Sequence, residues 1–94
     1  MGSVDWLHDF YAMIAEDPRI TITHVSLYMA IRFEWENNCF EVLMEIDRSA
    51  IMQLAKISST VTYNKSMHAL HDFGYIIYSP FFGRRKSELR LRKW

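Results

Sequence analysis

The sequence predicts an α+β fold of four helices and three strands, in the order α-α-β-α-α-β-β. Apolar residues recur with helical spacing in four segments, several of them bounded by capping residues, proline or glycine. Short runs that are β-branched or that alternate apolar and polar residues occur once mid-chain and twice near the end. Because 94 residues that are 50% hydrophobic can supply one core, we expect a single domain over residues 1–94.

The first helix is predicted over about residues 4–16, with Ser3 as its N-cap and Pro18 as the breaker that follows it. Its apolar residues cover an arc of ~160° at ~100° per residue, which is wider than one packing contact needs. We therefore expect residues 1–20 to form an additional helix and linker, with one side left over for a homodimer. The alternative is a monomer in which the whole arc packs inward. One side of the arc holds Trp6, Phe10 and Met13, and the other holds Leu7, Tyr11 and Ile14.

The second helix is predicted to start after Thr21 or Thr23 and to end near Asn37. Apolar side chains lie on nearly every side of it, which is typical of a helix buried in the centre of a domain. The next run, CFEVLMEI at residues 39–46, largely alternates apolar and acidic residues and therefore predicts a strand.

The third helix is predicted within IDRSAIMQLAKI, residues 46–57. Asp47 can cap it, and Ile46 and Ile51 occupy the positions of a hydrophobic staple. We expect its buried face to consist of Ile51, Leu54 and Ala55.

The fourth helix is predicted to start at Ser59 or Thr60 and to close at Phe73, with Gly74 in the position that favours a left-handed residue. A helical projection separates an apolar side from a side of short polar groups, one base and one valine. The inward residues are expected to be Tyr63, Met67 and Leu70, and the outward residues Val61, Asn64, Lys65, His68 and Asp72.

Two strands are predicted to follow, in YIIYSPFF at residues 75–82 and ELRLRKW at residues 88–94. Pro80 cannot donate a hydrogen bond, which favours an edge position for the first strand. Alternating leucine and arginine in the second predict one dry face and one wet face. The turn between the strands, GRRKS, carries three consecutive basic residues: Arg84, Arg85 and Lys86.

Two helices joined by a short turn and followed by a hairpin resemble a winged helix-turn-helix domain. The resemblance covers residues 21–94 and rests on LAKISSTVTYNKSMHALHDFGYI, residues 54–76. There, an apolar-alanine pair precedes Ile57 and a serine-threonine cluster, and a helix with Met67 and Leu70 facing inward leads to the GYI exit. The chain also resembles, more faintly, short winged-helix proteins of bacterial mobile elements.

This resemblance implies a helix-turn-helix unit at residues 47–74, a wing hairpin at residues 75–94, and binding to double-stranded DNA. The process implied is transcription regulation, or replication and maintenance of a mobile element. The outward side chains suit a major groove, because asparagine can pair with adenine, lysine with guanine or phosphate, and valine with a thymine methyl. The expected helix contacts are Ser59 (at a phosphate), Thr60, Val61, Asn64, Lys65 and His68. At phosphates or the minor groove, the expected wing contacts are Arg84, Arg85 and Lys86.

Charge is divided unevenly along the chain, although the formal net charge is zero. Residues 1–46 hold two basic and eight acidic residues, a net charge of −6, and residues 47–94 hold nine basic and three acidic residues, a net charge of +6. This division favours a polar molecule with one basic face, as polyanion binding requires. The alternative is that the charges mix in space and that both the helix face and the basic turn are merely solvated.

Other classes of function find little support in the residue pattern. The histidines and Cys39 do not have metal-site or catalytic spacing, so we expect no enzyme, cofactor, metal or small-molecule ligand. The lone cysteine cannot form an internal disulfide, which favours the cytoplasm. No apolar run is long enough for a membrane span, and Asp5 and Asp9 argue against a secretory signal. The remaining alternative is a module that binds protein instead of DNA, since fold does not fix function and the acidic first half suits a basic partner.

Overall fold

The structure, a computed structural model, describes residues 5–37, 44–79 and 88–92. Within these residues it is an α+β fold with four helices and three short strands, so the predicted α+β class is confirmed. The helices are Asp5–Ala15 (α1), Ile22–Asn37 (α2), Arg48–Ala55 (α3) and Thr60–Asp72 (α4). The strands are Met44–Glu45 (β1), Ile76–Ser79 (β2) and Glu88–Leu91 (β3).

The strands form one antiparallel sheet in the order β1-β3-β2. In the central strand β3, Leu89 pairs with Tyr78 of β2 on one side and with Met44 of β1 on the other. Leu89 is buried and Arg90 is exposed, which confirms that β3 has one dry and one wet face. Residues 39–43 of the predicted first strand, and Pro80, lie outside the described residues.

Helix α2 lies at the centre of the molecule and packs against both α3 and α4. Leu27, Tyr28 and Ile31 are fully buried along it. The Ser26 hydroxyl donates a 2.6 Å hydrogen bond to the carbonyl oxygen of Ala55, which joins α2 to the end of α3. The burial expected for this nearly all-apolar helix does not extend to Phe33, which is 53% exposed.

Helix α1 is attached to α2 through aromatic side chains. Phe10 is fully buried and its ring stacks on that of Tyr28, with 4.3 Å between centroids and 8° between planes. Trp6 lies 3.9 Å from the guanidinium of Arg32, which is buried and also faces Trp35 at 4.8 Å. These contacts place the Trp6–Phe10 side of α1 against the core.

The linker between α1 and α2 is joined to the chain that leaves α4. The carboxylate of Asp17 accepts hydrogen bonds from the Arg19 side chain at 2.8 and 2.9 Å and from the Tyr75 hydroxyl at 3.0 Å. These bonds, that to Arg19 first, hold the pKa of Asp17 well below its usual range. Burial, together with the bond to Asp17, raises the pKa of Tyr75 to about 12, so its phenol is a protonated donor at neutral pH. Arg19 also lies 4.0 Å from the ring centroid of Phe73, at the end of α4.

Candidate nucleic-acid interface

A tight turn connects α3 to α4. Asp47 caps the start of α3 as predicted, accepting a 3.3 Å hydrogen bond from the backbone N–H of Ala50. Lys56 follows the helix as its C-cap with a left-handed φ of 61°, and the N–H of Ile57 then donates a 2.9 Å hydrogen bond to the carbonyl of Met52. Ile57 is buried, so the turn is anchored in the core before α4 begins.

The buried face predicted for α3 is only partly correct. Ile51 and Ala55 are buried, whereas Leu54 is 42% exposed. The short helix turns its Ile51–Ala55 side toward α2, and Leu54 falls beyond that contact. Leu54 thus contributes an apolar group to the surface.

Ser59 is the N-cap of α4, which is one of the two start residues predicted. Its backbone is extended, and its hydroxyl oxygen accepts a 3.2 Å hydrogen bond from the N–H of Thr62. The hydroxyl proton is not used by this bond, so Ser59 can still donate to an acceptor outside the helix. The helix closes at Phe73, and Gly74 follows with a φ of +90°.

The inner face of α4 is anchored as its pattern predicts. Tyr63, Met67 and Leu70 are all at most 1% exposed, and Ser66 is buried beside them. Burial raises the pKa of Tyr63 well above its usual range, so the phenol is protonated at neutral pH. This packing against α2 and β2 fixes the rotation of α4 about its axis and therefore which side chains face outward.

The outer face of α4, which comprises Thr60, Val61, Asn64, Lys65 and His68, is exposed throughout. Val61 has 67% of its surface exposed. Asn64 and Lys65 form no hydrogen bond or ion pair with any described residue, so their polar groups are available to a partner. No acidic residue lies in the first turn, and Asp72 is at the opposite end of the helix. The face can thus offer an amide, an ammonium group and methyl groups together.

His68 differs from the other outer-face residues because its ring packs beside the sheet. The ring lies 5.5 Å from that of Tyr78 in β2, edge to face. One turn further on, Nδ1 of His71 accepts a 3.0 Å hydrogen bond from the backbone N–H of Tyr78. Sequence reasoning missed this link: the spacing of the two histidines indicates a shared helix edge, but nothing local identifies Tyr78 as their partner. The outer face and β2 are therefore held in a fixed relation.

The wing contacts predicted from the sequence lie outside the described residues. They are the basic residues Arg84, Arg85 and Lys86. The strands on either side of them are described and end in register, since Ser79 pairs with Glu88. Arg90 is exposed in β3, and Arg48 and Lys56 are exposed at the two ends of α3. These three exposed basic residues were not among the contacts that the sequence pattern predicted.

A second surface feature is an apolar groove of about 390 Å³ between α1 and the start of α2. Ile22, at its edge, is 88% exposed. On α1, Leu7 and Tyr11 are 37% and 48% exposed and share a helix side with Ile14, which lines the groove. The groove is lined by uncharged residues: Ile14, Ile20, Thr21, Ile22, Val25 and Ser26.

The described residues contain neither a cluster of metal-ligating side chains nor a helix that could span a membrane. In residues 5–37, 44–79 and 88–92, no group of three or more histidine, cysteine, aspartate or glutamate side chains could hold a metal ion. None of the helices in these ranges is both long enough and apolar enough to cross a membrane.

Comparison of the chain with protein-family models, with curated proteins and with solved structures finds no match. The functional assignment therefore depends on the geometry of the outer face of α4 and its surroundings.

Proposed function

We propose that this chain is a small DNA-binding protein with a winged helix-turn-helix architecture. In this proposal α3 and α4 are the helix-turn-helix pair, α4 enters the major groove of double-stranded DNA, and the β2–β3 hairpin is the wing. The element order and the tight α3–α4 turn support this assignment.

The observation that carries the proposal is the outer face of α4. Its side chains project from a helix whose opposite face is fully buried, so they are presented without freedom of the helix to rotate. They combine an amide, a lysine ammonium group and short hydroxyl and methyl groups. Such groups match the edges of nucleobases and the phosphates that flank them. A helix that is only solvated commonly carries glutamate-lysine pairs, and α4 contains no glutamate.

In the proposed complex, affinity and sequence preference come from different residues. Lys65 and the Ser59 hydroxyl position α4 on phosphates, while Val61 and Asn64 face base edges. The three consecutive basic residues of the wing turn, residues 84–86, neutralise further phosphates or enter the minor groove. In the role proposed here, the protein acts in transcription regulation, or in the replication or maintenance of a mobile element, in the bacterial cytoplasm.

A mobility-shift titration at two salt concentrations tests the proposal. We expect binding of random-sequence duplex at low salt and a steep loss of affinity as salt rises, because each phosphate neutralised releases a counterion. Replacing Arg84, Arg85 and Lys86 together with alanine should flatten the salt dependence by up to ~3 phosphate equivalents. Absence of a shift at micromolar protein in low salt would refute DNA binding, and an unchanged slope in the variant would remove the wing from the interface.

We also propose that the protein acts as a homodimer joined through α1 and the apolar groove. Leu7 and Tyr11 are exposed on the side of α1 that also carries Ile14, which lines the groove beside the exposed Ile22, and exposed apolar surfaces commonly mark association sites. A twofold dimer would bring two copies of α4 to half-sites in DNA. Light scattering at tens of micromolar protein should give twice the mass of the chain, and Tyr11→Glu should reduce it to a single chain. A single-chain mass for the unmodified protein would refute the proposed homodimer.

The same surface supports one competing function, a module that binds another protein and no DNA. The mobility-shift titration and the light-scattering mass distinguish this function from DNA binding. If no duplex is retained and the protein has the mass of a single chain, the Leu7–Tyr11–Ile22 surface is left to bind a different protein.

A further inference from the structure

The outer face of α4 carries one apolar group among its polar ones. Of the large hydrophobic side chains exposed in the described residues, only Val61 belongs to α4. It lies in the first turn, two residues after the N-cap Ser59. A β-branched residue at an exposed helix position is worse for the helix than alanine, so Val61 does not serve the helix itself.

The methyl groups of Val61 have little conformational freedom to lose when a partner binds. Valine in a helix occupies essentially one χ1 rotamer, so little side-chain freedom is lost on contact. The backbone beneath it is fixed on both sides, by the hydrogen bond from Thr62 N–H to Ser59 and by the buried ring of Tyr63. Val61 therefore presents a rigid apolar surface beside polar neighbours.

Asn64 stands next to Val61 on the same face. Residues three apart on a helix have Cβ atoms about 5–6 Å from each other, a distance that spans one or two base-pair steps of ~3.4 Å. In the major groove the thymine C5-methyl is the apolar feature of a base edge, and adenine N6 and N7 form the donor-acceptor pair that an asparagine amide matches. Both features belong to A·T pairs.

Resting on the proposed function, we infer that Val61 and Asn64 together select A·T base pairs: Val61 packs on a thymine methyl, and Asn64 forms two hydrogen bonds with an adenine of the same or the neighbouring pair. The class of DNA site that α4 prefers is thus one with an A·T pair at one or two adjacent positions facing Val61 and Asn64. The preference lies in two residues whose replacement leaves the core untouched, because both side chains are exposed.

The test starts from a duplex library with a randomised core, from which the preferred site is selected at moderate salt. Each thymine of that site is then replaced singly by uracil, which removes the methyl and keeps the pairing. The unmodified protein should bind one such duplex about fourfold more weakly, the effect of one buried methyl group. Val61→Ala should bind the thymine site about as weakly and be indifferent to that uracil.

A parallel arm replaces single adenines by an analogue without the N7 acceptor. At one adenine the unmodified protein should lose about tenfold in affinity, and Asn64→Ala should lose nothing further. Phe33→Ala is the matched control, since it removes an exposed apolar side chain from α2 and should keep both penalties. Circular dichroism of each variant checks that the helices are intact.

The outcomes separate the two proposals. Failure to retain any duplex at low salt overturns DNA binding and the A·T preference together. Selection of a site in which no thymine is sensitive to uracil, or a Val61→Ala variant that keeps the uracil penalty, overturns the A·T preference alone and leaves DNA binding standing.

Discussion

Tyr75 joins parts of the chain that are 58 positions apart, through its hydrogen bond to Asp17. Tyr75→Phe removes the hydroxyl and keeps the ring, which packs edge-on against Phe10. We expect the free energy of unfolding, measured by urea denaturation, to fall by about 1–2 kcal/mol, since the bond goes to a charged acceptor at a buried donor.

Tyr11→Phe is the matched control for this prediction. The Tyr11 side chain is 48% exposed, so the loss of its hydroxyl should change the free energy of unfolding by less than about 0.5 kcal/mol. Equal effects of the two substitutions would mean that the bond between Tyr75 and Asp17 contributes nothing to stability.

The ionisation of Asp17 makes the free energy of unfolding depend on pH in the acid range. Its pKa is depressed in the folded chain, chiefly by the Arg19 side chain, relative to ~3.9 in the unfolded chain. Its contribution is therefore fully present above pH ~3.9 and is lost as pH falls toward the folded-state value. We expect urea midpoints measured between pH ~5 and pH ~2 to fall more steeply for the unmodified protein than for Asp17→Asn. Parallel curves for the two chains would contradict this assignment.

At the scale of single elements, the end of α3 depends on a left-handed residue. Lys56 has a φ of 61°, where a side chain clashes with its own backbone unless the residue is glycine. We expect Lys56→Val to lower the free energy of unfolding by about 1–2 kcal/mol, because β-branched residues tolerate this conformation least.

The opposite substitution provides the comparison. Lys56→Gly relieves the strain and should leave the free energy of unfolding unchanged or raise it by up to ~1 kcal/mol, since added freedom of the unfolded chain partly offsets the gain. Thermal melts of the two variants give the order. A valine variant as stable as the glycine variant would show that the turn adopts another conformation in solution.

Element boundaries were predictable where the determining chemistry is local. Asp47 and Ser59 cap the helices that follow them, and Gly74 takes the left-handed position, because each acts on residues within a few positions. The buried side of α4 was predictable for the same reason, since its spacing is periodic. The outward placement of Leu54 and Phe33 was not, because exposure depends on which neighbours arrive from elsewhere in the chain.

The candidate site shows the same limit. The exposure of Val61, Asn64 and Lys65 follows from the helical period, so the sequence could indicate a polar face. The contact of His68 with Tyr78 joins α4 to the sheet, and its geometry exists only once both elements have packed. Long-range pairs of this kind leave no periodic signal in the sequence.

At the scale of the whole molecule, the packing of α1 on the core depends on the aromatic ring of Phe10. Phe10 is fully buried between the rings of Tyr28 and Tyr75. We expect Phe10→Ala to lower the free energy of unfolding by about 3–5 kcal/mol, the usual effect of deleting a buried aromatic side chain. Urea denaturation followed by tryptophan fluorescence measures the loss, because Trp6 lies on the same side of α1.

Leu7→Ala is the control on the other side of α1. The Leu7 side chain is 37% exposed, so its truncation should cost the monomer less than about 1 kcal/mol. If both substitutions had the same small effect, α1 would not be docked on the core through Phe10.

The strand order has a consequence for how the protein is made. Strand β3 lies between β1 and β2, although it is the last of the three to leave the ribosome. Until residues 88–91 have been synthesised, β1 and β2 have no adjacent strand with which to form a ladder. The contacts of α2 with α3 and with α4 draw only on residues 22–72, so they do not require β3. The helical layer can therefore form before the sheet, whose strands β1 and β2 gain a pairing partner only when β3 has emerged.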